Sequence, residues 1–152
     1  MSIAPIVRSV VVKVNAARAF ELFTSRMQDW WPRGKTIGRE PHVELVIEPW
    51  VEGRWFERDA HGQETQWGKV LAWEPPHRLL LGWQIGTDWA YHADLLTEVE
   101  LNFKSLASAG TMVTLEHRQL ERLGSDAARH RELLDGGWPT LLEQFQKITD
   151  GN

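Results

Sequence analysis

The chain changes its hydrophobic period twice, and each change marks a new kind of element. Residues 6–14 (IVRSVVVKV) are rich in valine and isoleucine and read as a strand. Asn15 then stands where a helix cap is wanted. Ala19, Phe20 and Phe23 follow at helical spacing, which predicts a helix over 15–24. A second helical turn carries Met27, Trp30 and Trp31. It ends at Pro32, because the residue before a proline is pushed out of helical geometry. Arg33 to Pro41 reads as a loop.

From His42 the period becomes two. HVELVIE places Val43, Leu45 and Ile47 on one face. GRWFERD places Trp55 and Glu57 on one face and Arg54, Phe56 and Arg58 on the other. DAHGQE is a hairpin loop, with Gly62 supplying positive φ. TQWGKVLAW is the next strand, EPPH a corner, and RLLLGWQI a strand with Leu79, Leu81 and Trp83 alternating. Residues 86–96 form a longer loop. TEVELNF and TMVTLEH then put Val99, Leu101 and Phe103, and Val113, Leu115 and His117, on an inward face. The chain turns helical at Ser125, and Gly136-Gly137 is expected to interrupt it. Pro139 suits the first position of a new helix whose apolar stripe is Leu141, Leu142, Phe145 and Ile148.

Consecutive strands with tight turns predict an antiparallel sheet, and its apolar face must be covered by the last helix. The expected fold is therefore α+β: a curved antiparallel sheet gripping a long C-terminal helix, with two short helices after the first strand. The length of 152 residues fits one domain spanning 1–152.

Composition narrows the functional classes. Without cysteine there are no disulfides, thiolate metal sites or cysteine nucleophile, and a reducing compartment is suited. The net charge of −4 carries no basic stripe, so no nucleic-acid partner is expected. Arg8 and Lys13 break the opening apolar residues, which read as a strand and not a leader, and no run reaches membrane-spanning length. A cytoplasmic location is the expectation. The histidines show no HxH, HxxxH or HExxH spacing, so neither a metal nor another cofactor is expected. No nucleophile elbow or phosphate loop is present.

WWP at 30–32, residues 48–85, TEVELNF at 97–103, VTLEHRQLERLG at 113–124 and GGWPTLLEQF at 136–145 follow one another as in a known group. In them the chain resembles the SRPBCC (START-like, helix-grip) superfamily, and within it the homologues of the heat-shock-protein-90 ATPase activator. The resemblance implies a deep cavity between sheet and C-terminal helix that takes lipids, sterols, polyketides or other apolar molecules. It does not name the ligand.

The candidate site residues follow from parity and from loops. Nine tryptophans are more than a core of this size needs, and rings that stop short of filling a space leave flat walls with a polar N–H. Trp55 and Trp83 face inward, and Trp138 and Leu142 stand on the covering helix. Trp67 and Trp73 flank Gly68, a bulge signal that leaves their facing open. Glu57 interrupts an apolar face, where a carboxylate needs a partner. That partner is a ligand or a structural arginine, unless strand twist carries Glu57 into solvent. His117 ends an inward strand face. Trp89, with Tyr91 and His92, stands in the loop over the expected cavity mouth. The run ERLGSDAARHRE reads as a solvated face.

Three readings result. The first is a protein binding a small apolar or amphipathic molecule. The second is an enzyme of the cyclase, dehydratase or hydrolase kind, using Glu57 or His117. The third is a co-chaperone or stress-response regulator acting through a protein partner. The activators carry a further N-terminal domain, for which this chain has no room, and that weighs against the third.

Overall fold

The computed structural model of the chain describes residues 2–151. Seven strands, β1 (Ile6–Val12), β2 (His42–Ile47), β3 (Arg54–Asp59), β4 (Glu64–Glu74), β5 (Arg78–Trp83), β6 (Thr97–Ser105) and β7 (Thr111–Arg118), form one sheet. The order is β1-β7-β6-β5-β4-β3-β2, and every pairing is antiparallel. Two short helices, α1 (Ala16–Ser25) and α2 (Met27–Trp30), follow β1, and α3 (Ala127–Asp150) covers the concave face. Asn15 caps α1 by accepting from the Arg18 amide. This is the helix-grip architecture.

The alternation read from the sequence holds along β5, β6 and β7, where Leu79, Leu81, Val99, Leu101, Phe103, Val113 and Leu115 are all buried. It fails at the start of β2. A register shift between His42 and Glu44 turns His42 inward and leaves Val43 exposed. Phe56 does lie on the outer face, yet it is buried. The Arg54 guanidinium carbon sits 4.1 Å from its ring centroid and that of Arg58 5.3 Å, so two arginine stems roof the ring.

Strand β4 carries two register shifts, one at Trp67 and one at Leu71. The first explains Gly68. A Cβ built there would lie 1.7 Å from the Gly82 carbonyl oxygen, so no other residue fits. Gly68 stands in register between Trp55 and Trp83. With no side chain between them, those rings approach to 5.7 Å although their strands are not neighbours. Trp67 points inward and is buried; Trp73 packs edge-on against Phe20 at 5.1 Å.

Helix α3 corrects the expected break. It runs unbroken through Gly136, Gly137 and Pro139, so Pro139 is an interior residue and not a first one. A proline there cannot donate to the Asp135 carbonyl. Contacts to the edge strand β1 and to the residues just before it hold the helix instead. Arg8 pairs with Asp135 at 2.7 Å, Arg131 donates to the Ala4 and Pro5 carbonyls, and Gln146 donates to that of Val11. These contacts also occupy part of an edge that would otherwise be free to pair. The charge-rich run that leads into the first turns of α3 is not wholly solvated: Leu120, Ala127 and His130 are buried in or beside it. No helix among the described residues is long and apolar enough to cross a membrane.

Candidate functional site: a tryptophan-walled cleft

Five indoles from five parts of the chain form a closed ring on the concave face. Trp31, Trp67, Trp55, Trp83 and Trp138 touch in that order and back to Trp31, with neighbouring centroids 5.1 to 6.0 Å apart. These are edge-to-face or tilted contacts, the arrangement the ring quadrupole favours. Three N–H groups have acceptors. Trp31 Nε1 donates to the Lys35 carbonyl at 2.9 Å, Trp67 Nε1 to Glu57 at 2.7 Å, and Trp138 Nε1 to His117 Nδ1 at 3.2 Å. Those of Trp55 and Trp83 are buried without an acceptor. Such a group costs about 1–3 kcal/mol.

In front of this ring lies a cleft of about 510 Å³, open on one side. Trp31, Trp83 and Trp138 form its wall. Leu134, Gly137 and Leu141 of α3 continue it, and Trp89, Leu133 and Lys35 stand at its mouth. The space exists because α3 has no side chain at Gly137, where a Cβ would meet nothing within 4 Å. Trp89 and Leu133 are large apolar residues left 45% and 58% exposed. Trp89 also has a φ of 58°, an uncommon and strained conformation for a bulky residue. Its turn is fixed by Asp88, which accepts from the Ala90 amide and from His92, and the Trp89 ring packs tilted against His130 at 4.7 Å.

His117 lies behind the wall and is tied at both nitrogens. Because Nδ1 accepts from Trp138, Nε2 carries the hydrogen and donates to Thr97 Oγ1 at 2.9 Å. Thr97 in turn donates to the Trp83 carbonyl at 3.1 Å. The chain thus links two cleft residues, one on α3 and one at the end of β5. Burial, helped by the charge of His130, pushes the His117 pKa down to about 3, so its imidazole is neutral.

Glu57 is buried, and its partners are neither arginine nor solvent. It accepts from the Ile37 amide at 2.8 Å, the Gly38 amide at 3.2 Å, the Thr36 hydroxyl and the Trp67 indole. The loop can lie this close because residue 38 is glycine: a Cβ there would sit 2.9 Å from Oε2. Glu57 therefore fastens the loop that carries Lys35 to the cleft mouth.

Of the residues singled out in the sequence, Trp83, Trp89 and Trp138 line the cleft. Trp55, Glu57 and His117 stand behind that lining and hold it. Leu142 is buried in the core. Sequence reasoning missed Trp31, Lys35, Leu133, Leu134, Gly137 and Leu141 as lining residues, though WWP and GGW each carried the signal. It also missed His42, which is buried with neither ring nitrogen bonded.

The comparisons with known proteins agree with this architecture. The chain is similar to an anthrahydroquino-γ-pyrone synthase, Txn09, at 38% identity, with 97% of each chain covered and a TM-score of 0.69. It is similar to CalC, a self-sacrificing resistance protein from Micromonospora echinospora, at 28% identity, covering 97% of this chain and 94% of that one, TM-score 0.67. The Aha1 dimer from Colwellia psychrerythraea shares the fold, at 12% identity, 97% coverage of both and a TM-score of 0.67. No curated protein matches the chain. The family model for activator of Hsp90 ATPase homolog 1-like proteins matches residues 13–150, and the chain belongs to that family.

Proposed function

We propose that this protein binds a small apolar or amphipathic organic molecule in the tryptophan-walled cleft. The observation that carries this is the pairing of an open space with exposed apolar residues that face it. Trp89 and Leu133 remain in water at the mouth, one of them in a strained backbone conformation, and a ligand would cover both. A volume of about 510 Å³ suits a drug-sized molecule, since such pockets run about 300–1,000 Å³. An acceptor on the ligand, seated beside Trp83, would satisfy a buried N–H that lacks one. The relatives named for a synthase and for a resistance protein support the same direction.

Turnover is a second reading, favoured by the 38% identity to a synthase. It has few groups to work with. Glu57 is saturated by protein donors, His117 is neutral and bonded at both nitrogens, and Lys35 is the one titratable residue among those lining the cleft.

Titration with an apolar fluorescent probe, read by quenching of tryptophan emission, tests the binding reading. One saturable site is expected. Gly137→Leu projects into the open cleft and should abolish it, whereas Gly136→Leu on the same helix should not. No saturable quenching, or equal binding by both variants, would sink the proposal.

A further inference from the structure

The cleft has one charged residue in its lining, and it is a cation. Lys35 stands among eight residues that carry no charge. Among the described residues its side chain forms no ion pair, although other lysines and arginines of the chain do. Its position is not left to a mobile loop. The Lys35 carbonyl accepts the Trp31 indole at 2.9 Å and its amide donates to the Pro32 carbonyl at 3.0 Å. The next three residues are fastened to Glu57 through Thr36, Ile37 and Gly38. Backbone contacts thus fix where Lys35 stands and leave its ammonium unspent.

We infer that the ligand is a flat aromatic molecule bearing an anionic oxygen, whose rings lie against the cleft indoles and whose charged edge meets Lys35. This rests on the binding reading above. Indole faces favour aromatic rings, offset or edge-on, over flexible alkyl chains. A half-enclosed apolar wall strengthens a charge pair relative to open water. The protein as a whole is acidic, at −4, so long-range attraction does not draw an anion here. Recognition has to be local, and Lys35 is the local cation. A carboxylate, a sulfonate or an ionised ring hydroxyl would serve.

Two dyes of one ring system test this: 8-anilinonaphthalene-1-sulfonate and neutral N-phenyl-1-naphthylamine. The readout is each dye's affinity for the wild type divided by its affinity for Lys35→Met. The sulfonate ratio should exceed the neutral one by about fivefold, the upper end for a partly exposed charge pair. Lys35→Glu should widen the gap further. The side chain is exposed, so both variants should keep the wild-type melting midpoint. Equal ratios for the two dyes overturn the inference and leave the binding reading standing. Failure of both dyes to bind the wild type overturns both.

Discussion

The two ends of the concave face are both built from aromatic rings, yet one is closed and the other open. At the closed end Phe20 and Phe23 of α1 meet Phe103 of β6 at 5.2 and 5.9 Å, and Phe145 of α3 meets Phe23 and Trp30 at 5.4 and 5.3 Å. At the open end Trp31, Trp83 and Trp138 stand back around empty space. The difference lies in what each ring asks of its neighbours. Phenylalanine has no polar atom and is content in a dense core. Indole carries an N–H: of the three wall rings Trp31 and Trp138 give theirs to the Lys35 carbonyl and to His117, and that of Trp83 has no acceptor in the protein. Those two bonds fix Trp31 and Trp138 as walls while their cleft-facing sides stay open. Helix α1 then plugs the closed end, whereas Gly137 leaves a gap at the other.

The comparison breaks first at Phe145. Its ring is fully buried between α1 and α2. Phe145→Ala should cost about 3–5 kcal/mol in urea denaturation, the usual price of emptying a phenylalanine site. Trp89→Ala, at the open end, should move stability by less than about 1 kcal/mol while weakening probe binding. Similar losses of stability for both would show that the open end is core after all.

Glu57 comes next. It binds the loop to the sheet through three donors and accepts a fourth bond from Trp67, and Glu57→Gln replaces one acceptor oxygen by a donor that faces them. A loss of about 1.5–3 kcal/mol is expected, the worth of a hydrogen bond to a charged group. Thermal and urea melts will read it. A stability change within about 0.5 kcal/mol, as for an ordinary surface site, would refute the fastening role.

How much of this was legible in the sequence depends on which physical signal placed each residue. Period-two alternation turned Trp83 and His117 inward because β5 to β7 are regular, and it turned Trp55 inward because the extra residue of the β3–β4 pairing lies in β4 and leaves the parity of β3 intact. It misplaced Val43, because a register shift in β2 moves His42 inward and no residue type there announces it. Glu57 was visible as an anomaly, but its partners were not. Two of the four are backbone amides of a loop about twenty residues earlier, and every residue but proline has an amide. Gly136-Gly137 and Pro139 read as a break, since local propensity opposes a helix there. Contacts from α3 to β1 override that propensity and keep the helix whole. The cleft was therefore foreseeable as a cavity between sheet and helix, while Lys35 came into it by tertiary packing alone.

The wall behind the cleft can be probed with pH. His117 has an ordinary pKa of 6.5 and a folded-state value of about 3. Between those values the unfolded chain takes up a proton that the folded chain refuses, so stability falls as pH drops through that window. His117 alone should contribute at most about 1.4 kcal/mol per pH unit to the slope. Burial lowers His42 and His130 as well, which adds to the same trend. His117→Gln, which keeps one donor and one acceptor, should have a shallower slope in urea titrations at stepped pH. Identical slopes would place the effect elsewhere.

The smallest effect is the most pointed, because its sign separates the two demands on α3. Gly136 and Gly137 both sit in an unbroken helix, both have open space where a Cβ would go, and neither has a positive φ. Replacing either by alanine should therefore stabilise the protein by about 1 kcal/mol, the helix penalty of glycine. Only Gly137 lines the cleft. Gly137→Ala should narrow the site and weaken probe binding, whereas Gly136→Ala should leave binding unchanged. A gain in stability at both positions, with a loss of binding at one, would mean that the glycine at 137 is kept for the space it leaves. A loss of stability in Gly137→Ala would mean that the space is already needed by the fold, and the open end would no longer differ in kind from the closed one.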